Sequence, residues 1–277
     1  MGPQLRGMVR ASHFQPTLAV TAIASALALS TGRGLSTLAV ATAVLAGQFS
    51  VGWSNDYLDR DRDRATGRTD KPIVAGDVPE RLVRNGAITA AAVCVPLSML
   101  SGWRAGLVHL VAVALAWAYN AGLKRTLVSV VPYALAFGLL PAFVTLGARD
   151  HPWSPAWATV AAALMGSGAH FVNTLADRDA DAATGVRGLP QRLSAPGSLV
   201  TGALLMGTAL GVLAVGPPGS PSAVTTVLLA VGAAALAGVI VAAVNARERT
   251  AWSLTLVVAA TAVAALVVNG DALVPGP

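Results

Sequence analysis

Long stretches without charged residues alternate along this chain with short segments rich in charge, glycine or proline. A hydrocarbon core about 30 Å thick needs around 20 apolar residues per helix, so each stretch of this length predicts one membrane-spanning helix. Continuous apolar runs favour helices, because a membrane β-barrel would show alternation instead. The stretches cover residues 11–32, 34–55, 85–103, 105–123, 126–148, 152–176 and 250–270.

The uncharged stretch from Leu193 to Ala246 is too long for one crossing. It is interrupted at 216–221 by a run of glycine, proline and serine, which predicts a turn between two helices. The whole pattern therefore predicts an all-α, polytopic membrane protein with nine transmembrane helices. We interpret residues 1–277 as a single transmembrane domain.

The basic residues predict the orientation of these helices, because short loops rich in Lys and Arg stay in the cytoplasm. With the N-terminus placed inside, only Arg33, Arg104 and Arg149 of the 19 Lys and Arg residues fall outside. The pattern predicts a multi-pass membrane protein with a cytoplasmic N-terminus and an external C-terminus. We interpret its location as the cell membrane.

Composition agrees with a membrane protein. Hydrophobic residues make up 55% of the chain and charged residues 12%, whereas a soluble domain has roughly 25% charged residues. The net charge of +6 is explained by the cytoplasmic loops, which argues against a nucleic-acid partner. Cys94 is the single cysteine and lies in an apolar stretch, so an internal disulfide is excluded and a thiolate metal site is disfavoured.

One short sequence occurs twice. Residues 55–67 read NDYLDRDRDRATG and residues 173–185 read NTLADRDADAATG, with eight of thirteen positions identical. Four predicted helices separate the copies, so both would run in the same direction and reach the cytoplasmic side. This indicates two parallel four-helix repeats followed by a ninth helix.

Each copy contains the pattern Asn-x-x-x-Asp-x-x-x-Asp. At 100° per residue, the three side chains would spread over about 80° of one helix face. Asp61 and Asp179 would point away from that face. The predicted stripes are Asn55, Asp59 and Asp63 in the first copy and Asn173, Asp177 and Asp181 in the second.

Closely spaced carboxylates near hydrocarbon need a compensating charge, which a divalent cation would supply. The stripes offer oxygen ligands without His or Cys, which favours Mg²⁺ over zinc or iron. Alternatively, these segments are solvated helix ends whose aspartates pair with the intervening arginines. The recurrence of the same spacing in both halves favours the metal. The candidate metal ligands are Asn55, Asp59, Asp63, Asp177 and Asp181.

Magnesium held by a few carboxylates completes its coordination with substrate phosphates and water, which indicates a phosphorylated substrate. Basic residues of the same face could neutralise the phosphate, although the positive-inside pattern explains each of them equally well. Lys71 and Lys124 are the strongest candidates. The set comprises Arg68, Lys71, Lys124, Arg178, Arg187 and Arg192.

These motifs resemble those of a known family. Residues 55–63, followed by Arg68-x-x-Lys71, resemble the first signature of the UbiA superfamily of intramembrane prenyltransferases. Residues 177–181 resemble its second signature, and Tyr119-x-x-x-x-Lys124 is similar to a further element. The resemblance implies nine helices with both motifs on the cytoplasmic side, and it covers nearly the whole chain.

The resemblance also implies an activity. Two Mg²⁺ ions would clamp an allylic prenyl diphosphate, whose isoprenoid chain passes to an aromatic or other lipophilic acceptor, for example in quinone biosynthesis. No protein partner is implied. The implied catalytic residues are Asp59, Asp63, Lys71, Tyr119, Lys124, Asp177 and Asp181. The implied substrate-binding residues are Asn55, Asp56, Arg68, Asn173, Arg178, Arg187 and Arg192.

Aromatic rings near the motifs could stabilise an allylic cation by roughly 0.5 to 2 kcal/mol each, although core packing explains the same rings. His109 and His170 are expected to be structural, but His170 could face the site because it lies one turn before Asn173. Residues 185–192 are expected to form a loop that caps the cavity. The candidate rings are Phe49, Trp53, Tyr57, Tyr119 and Phe171.

Two other functions fit parts of the pattern. A terpene cyclase of the same superfamily would capture the cation with the double bonds of its own substrate. A transporter would also have repeated halves and intramembrane acids, but here both acidic motifs are predicted at one membrane face. Neither the length of the prenyl donor nor the acceptor follows from the sequence; phenolic acids, naphthoates, porphyrins and lipid-linked sugars all remain open.

Overall fold

The computed structural model describes residues 2–175, 177–245 and 247–274. These ranges contain twelve α-helices and four short 3₁₀ turns, and no β-strand. The helices are α1 (Pro3–Ala11), α2 (Phe14–Ser30), α3 (Thr37–Ala65), α4 (Pro72–Ala75), α5 (Glu80–Met99), α6 (Trp103–Ala121), α7 (Val130–Thr145), α8 (Ala156–Asn173), α9 (Arg178–Ala183), α10 (Ala195–Val215), α11 (Ala223–Val244) and α12 (Glu248–Val268). The turns are Gly34–Ser36, Leu123–Arg125, Pro190–Arg192 and Gly270–Leu273.

Several helices are long and apolar enough to cross a membrane. Five segments satisfy both criteria in the described part of the chain: Gly34–Ala65, Glu80–Met99, Ala195–Val215, Ala223–Val244 and Arg249–Val268. The helices α2 and α7 are apolar but shorter. Large apolar side chains such as Leu35, Val215 and Val244 are strongly exposed. Such a surface suits contact with lipid and not with water. The chain is an integral membrane protein.

The helix ends agree with the sequence pattern in places and differ in others. The break at residues 216–221 separates α10 from α11, as the run of turn-forming residues predicted. The helix α3, however, continues beyond the apolar stretch 34–55 as far as Ala65. It therefore carries the whole first acidic motif on the same continuous helix that crosses the apolar bundle.

Within the bundle, α2 packs against α3, α7 and α12. Close approach between helices depends on small residues. An added Cβ on Gly202 of α10 would lie 2.9 Å from the carbonyl oxygen of Gly168 in α8, and one on Gly168 would lie 2.7 Å from that of Gly202. This pair of glycines lets α8 and α10 cross backbone to backbone, which positions the end of α8, where the second acidic motif begins.

Candidate active site

The first acidic motif lies on the buried side of α3. The side chains of Asp59 and Asp63 are 3% and 1% exposed, whereas that of Asp61 is 70% exposed. Asp61 contacts Arg60 and Arg64 on the outer surface. The spacing of the motif had predicted this helical phase for the first copy.

Lys124 is the closest basic partner of this motif. It lies in the 3₁₀ turn after α6, is buried, and its Nζ donates a hydrogen bond to Oδ1 of Asp59. Burial lowers the pKa of Lys124, and the negative charge of Asp59 opposes that shift. The ammonium group is thus held inside the protein by the carboxylate beside it.

An amide network orients Asn55. Its Nδ2 donates to Oδ1 of Asn120 at 3.2 Å and lies 3.4 Å from Oδ2 of Asp59. Nδ2 of Asn120 donates in turn to the Val51 carbonyl and to Oγ of Ser54, both at 2.9 Å. Asn120 therefore fixes the orientation of Asn55 and does not itself bond the carboxylates.

Asp56 anchors Lys71, which follows the first motif in the sequence. Its Oδ1 accepts a hydrogen bond from Nζ of Lys71 at 2.8 Å and lies 3.0 Å from Nε2 of His13. His13 has a left-handed backbone (φ 51°, ψ 55°) between α1 and α2, a conformation that histidine adopts more readily than most residues. The N-terminal segment thus helps to position Lys71.

The second acidic motif differs from the prediction. The helix α8 ends at Asn173 and α9 begins at Arg178, so Asn173, Asp177 and Asp181 do not form a stripe on one helix. Asn173 is exposed and the side chain of Asp177 is 43% exposed, whereas that of Asp181 is 6% exposed. The predicted single helical stripe is wrong for this copy.

The two copies also differ in the charges that accompany their aspartates. In α3, Arg62 pairs with Asp59 and Arg64 with Asp61, each three residues apart, so local cations stabilise the helix. Alanines replace both arginines in the second copy, at positions 180 and 182. Its aspartates fall instead around the first turn of α9, where the helix dipole favours negative charge.

The two motifs meet through Arg62. Its Nη1 lies 2.9 Å from Oδ1 of Asp181, and its Nη2 lies 3.1 Å from Oδ2 of Asp59 and 3.6 Å from Oδ1 of Asp63. Carboxylates of both halves therefore surround one guanidinium group. The structure brings Asp59, Asp63 and Asp181 together at one end of the bundle.

Asp181 is also held by the loop that follows it. Nε2 of Gln191 donates to Oδ2 of Asp181 at 2.7 Å. Burial raises the pKa of Asp181, while Gln191 and Arg62 oppose that shift. The same loop packs on the turn at Lys124, since the Leu189 amide donates to Oγ of Ser129 at 2.9 Å.

The basic candidates divide into two groups. Lys71 and Lys124 contact aspartates as described, and Nη1 of Arg68 donates to Oδ1 of Asp177 at 2.7 Å. Hydrogen bonds from Arg68 to Asp70 and Asp177 raise the pKa of Arg68. The other three make no contact with an aspartate in the described ranges. Arg178 bonds the Leu193 carbonyl, whereas Arg187 and Arg192 are exposed and joined through the Arg187 carbonyl.

Aromatic rings form a cluster beside this site. The Tyr119 ring lies 5.1 Å from Tyr133 and 5.5 Å from His170, and Tyr133 stacks on His170 at 4.7 Å. Phe171 lies 6.0 Å from His170. Nε2 of His170 is 3.0 Å from Oγ of Ser129. His170 is therefore held within the aromatic cluster, next to the turn that carries Lys124.

The remaining rings and His109 lie elsewhere. Trp53 packs with α1, where its Nε1 donates to the Met8 carbonyl at 2.9 Å, and Phe49 stacks on Trp53 at 5.1 Å. Tyr57 belongs to the same cluster as Trp53 and also lies under Arg60. His109 contacts Oγ of Ser98 at 2.8 Å and stacks on Phe143 at 4.5 Å. Packing accounts for these side chains.

The residues at the meeting point fit an oxygen-seeking divalent cation. Oδ1 of Asp63 is buried and has no hydrogen-bond partner in the described structure, and the same holds for Oδ2 of Asp56. No group of three or more His, Cys, Asp or Glu side chains in the described ranges could hold an ion alone. A cation held by Asp59 and Asp63, or by Asp177 and Asp181, would therefore take further oxygens from its substrate and water.

Arg62, Tyr133 and Gln191 belong to the site but were not predicted as site residues. Arg62 could have been recognised, because it follows Asp59 by nearly one helical turn and so faces the same side. Tyr133 could have been suspected from its position on the helix that follows Lys124. Gln191 had no usable signal, because its contact with Asp181 depends on the path of a loop.

The fold and the site define a helical integral membrane protein with two acidic motifs that converge at one end of its bundle. The chain belongs to the UbiA prenyltransferase family, whose family model matches residues 16–261. No curated protein sequence matches the chain significantly.

Solved structures share the fold. A UbiA homolog from Aeropyrum pernix K1 has 22% identity and a TM-score of 0.69, with 96% of this chain and 98% of that chain covered. A digeranylgeranylglyceryl phosphate synthase has 14% identity and a TM-score of 0.70, with coverage of 97% and 99%. A UbiA homolog from Archaeoglobus fulgidus bound to GPP and Mg²⁺ has 17% identity and a TM-score of 0.68, with coverage of 95% and 99%.

Proposed function

We propose that this protein transfers an isoprenoid chain from an allylic prenyl diphosphate to an aromatic or other lipophilic acceptor, in a Mg²⁺-dependent reaction. The observation that carries the proposal is the convergence of Asp59, Asp63 and Asp181 around one point at the end of an apolar bundle. Carboxylates placed in this way suit a substrate with a polyanionic head and an apolar tail.

Magnesium is the proposed cofactor. The Archaeoglobus fulgidus homolog is bound to GPP and Mg²⁺, and family membership supports the same requirement here. We assign Asn55, Asp59 and Asp63 to one ion and Asp177 and Asp181 to the other. When bound, Mg²⁺ would neutralise the charge that develops on the departing diphosphate.

The basic side chains would hold the diphosphate. Lys124 is buried beside Asp59 and Lys71 is fixed by Asp56, so both ammonium groups have defined positions. Arg68, next to Asp177, would approach from the second motif. The remaining proposed substrate-binding residues are Asn173, Arg178, Arg187 and Arg192, of which the last two would reach the diphosphate only after a movement of their loop.

The reaction would break the bond between the allylic carbon and the diphosphate oxygen, and the electron pair would leave with the diphosphate. The allylic cation would then bond to the acceptor, which loses a proton. The rings of Tyr119, Tyr133 and Phe171, which cluster around His170, would stabilise the cation. The apolar helices would exclude water, which would otherwise convert the cation to an alcohol.

We further propose that the nine helices of 16 or more residues in the described ranges all cross the membrane, within one domain over residues 1–277. In this arrangement the N-terminus and both acidic motifs are cytoplasmic, and the C-terminus is external. The 16 basic residues that then fall inside support this orientation. The plasma membrane is the proposed location, and an aromatic acceptor would place the reaction in quinone biosynthesis.

The test is an assay of purified protein with Mg²⁺, labelled geranyl, farnesyl and longer prenyl diphosphates, and a panel of phenolic, naphthoate, porphyrin and lipid-linked acceptors. Transfer of label to an acceptor, absent in the Asp59→Ala variant, supports the proposal. Cyclic hydrocarbon products formed without an acceptor would replace it with a terpene cyclase. Binding of prenyl diphosphate without any product would contradict both enzymes.

A further inference from the structure

Arg62 occupies the point where the two acidic motifs meet. Its guanidinium contacts Asp59 at 3.1 Å, Asp63 at 3.6 Å and Asp181 at 2.9 Å, and its side chain is only 11% exposed. Among the described residues, Arg62 is the one basic side chain that forms ion pairs with aspartates from both copies of the repeat. Arg62 therefore has a different environment from the other arginines of its motif.

Arg64 shows the contrast. It follows Arg62 by two residues on α3, its side chain is 47% exposed, and it pairs with Asp61 and Glu80 on the outer surface. Exposed ion pairs of this kind contribute little to the stability of the protein, because water and salt screen them. The ion pairs of Arg62 are largely shielded from water. Its guanidinium group therefore competes strongly with any other cation for the same carboxylate oxygens.

Protein donors already bond each carboxylate oxygen of Asp59 and Asp181. Lys124 and Arg62 bond the two oxygens of Asp59, and Arg62 and Gln191 bond those of Asp181. A divalent ion at either aspartate must share these oxygens with their donors or displace one of the donors. Arg62 is the donor common to both, and its positive charge would also repel the ion at short range.

One donor of Arg62 lacks a partner. Its Nε is buried and has no hydrogen-bond acceptor in the described structure, although its two terminal nitrogens are bonded. A guanidinium presents donors in a fork that matches phosphate oxygens. A diphosphate in this position would offer acceptors to Arg62 at the same time as it offers oxygens to the ion.

We infer that Arg62 is an internal counter-ion that competes with Mg²⁺ for Asp59 and Asp181 and that moves onto the substrate diphosphate when both bind. The inference rests on the proposed function. It makes the metal site depend on substrate: Mg²⁺ alone must displace the guanidinium without compensation, whereas Mg²⁺ together with diphosphate gives the guanidinium a new partner.

The experiment measures binding by calorimetry on detergent-purified wild type, Arg62→Gln and the matched control Arg64→Gln. Each protein is titrated with Mg²⁺ alone and then, at saturating Mg²⁺, with inorganic diphosphate. We expect Arg62→Gln to bind Mg²⁺ alone about tenfold more tightly than wild type and diphosphate about tenfold more weakly, as loss of a charged hydrogen bond implies. Arg64→Gln should match wild type in both titrations.

The outcomes separate the inference from the proposed function. Unchanged or weaker binding of Mg²⁺ alone to Arg62→Gln would overturn the competition, while the proposed metal site would stand if wild type binds Mg²⁺ with diphosphate. Failure of every protein to bind Mg²⁺, with or without diphosphate, would remove the metal site and the inference together. If Arg62→Gln does not fold, Arg62→Lys serves instead. A lysine cannot bond both aspartates as a fork, so it should bind Mg²⁺ more tightly than wild type, and wild-type affinity would refute the inference.

Discussion

Arg62 and Asp181 are 119 positions apart in the sequence, yet Nη1 of Arg62 lies 2.9 Å from Oδ1 of Asp181. Arg62 belongs to the first copy of the repeat and Asp181 to the second, so this contact joins the two halves of the chain at one end of the bundle. A site built in this way requires both copies of the repeat.

The first prediction compares two aspartates of α3. Asp59→Ala should lower kcat/KM by about 100-fold or more, the magnitude typical of a lost electrostatic contact in a transition state. Asp61→Ala should change it by less than about threefold, because the Asp61 side chain faces solvent. Steady-state assays on both variants, with membrane insertion checked by fractionation, make the comparison. Equal losses would show that the outer face of α3 also takes part.

The second prediction concerns metal removal. A chelator should stop turnover and added Mg²⁺ should restore it, because the aspartates are themselves anionic and would repel a departing diphosphate without the metal between them. Mg²⁺ and diphosphate should each tighten binding of the other by the same factor, as linkage requires. Titrations in both orders measure the two factors. Diphosphate affinity that is unchanged by chelator would leave the basic side chains as its sole anchors.

The third prediction concerns His13, which holds Asp56 and lies 3.4 Å from Nζ of Lys71. His13→Ala should weaken diphosphate binding by up to about tenfold, since one hydrogen bond to a buried carboxylate is lost and Lys71 is less firmly positioned. His151→Ala is the matched control, because His151 also has a positive φ but bonds the carbonyl of Leu146 at the C-terminal end of α7. Equal effects of the two variants would indicate a general loss of stability.

The fourth prediction concerns the crossing of α8 and α10. Gly202→Ala should destabilise the protein by about 1 to 3 kcal/mol, because the added methyl group meets the Gly168 carbonyl and Val172. Gly211→Ala, on the same helix but with nothing within 4 Å of the new Cβ, should be neutral or slightly stabilising. Thermal unfolding in detergent compares them. A destabilised Gly211→Ala variant would mean that the effect is not one of packing.

The fifth prediction concerns orientation. A reporter inserted after Arg187 should be cytoplasmic and one fused after Pro277 should be external, because the basic residues then lie almost entirely on the inside. Alkaline phosphatase and fluorescent-protein fusions distinguish the two sides. A cytoplasmic C-terminus would require an even number of crossings from a cytoplasmic N-terminus.

The sequence predicted much of the fold, because helix breaks in lipid require turn-forming residues and these are visible at positions such as 216–221. It also predicted that Asp59 and Asp63 share one helix face, since α3 remains helical throughout. The second motif could not be predicted in the same way. The chain leaves the helix between Asn173 and Arg178, and the contact of Gln191 with Asp181 depends on the path of the following loop, which is set by tertiary structure.

The length of α3 determines where the proposed chemistry would take place. Its 29 residues span about 44 Å at 1.5 Å per residue, more than the roughly 30 Å of a hydrocarbon core. Asp59 would then lie about 33 Å from the start of the helix, at the level of the lipid head groups. A prenyl diphosphate is itself shaped like a lipid, so it could diffuse sideways from the inner leaflet to these aspartates with its chain still in the bilayer. Under the proposed function, the rate would then depend on how much prenyl diphosphate the inner leaflet holds per unit area, and not on its concentration in the cytosol.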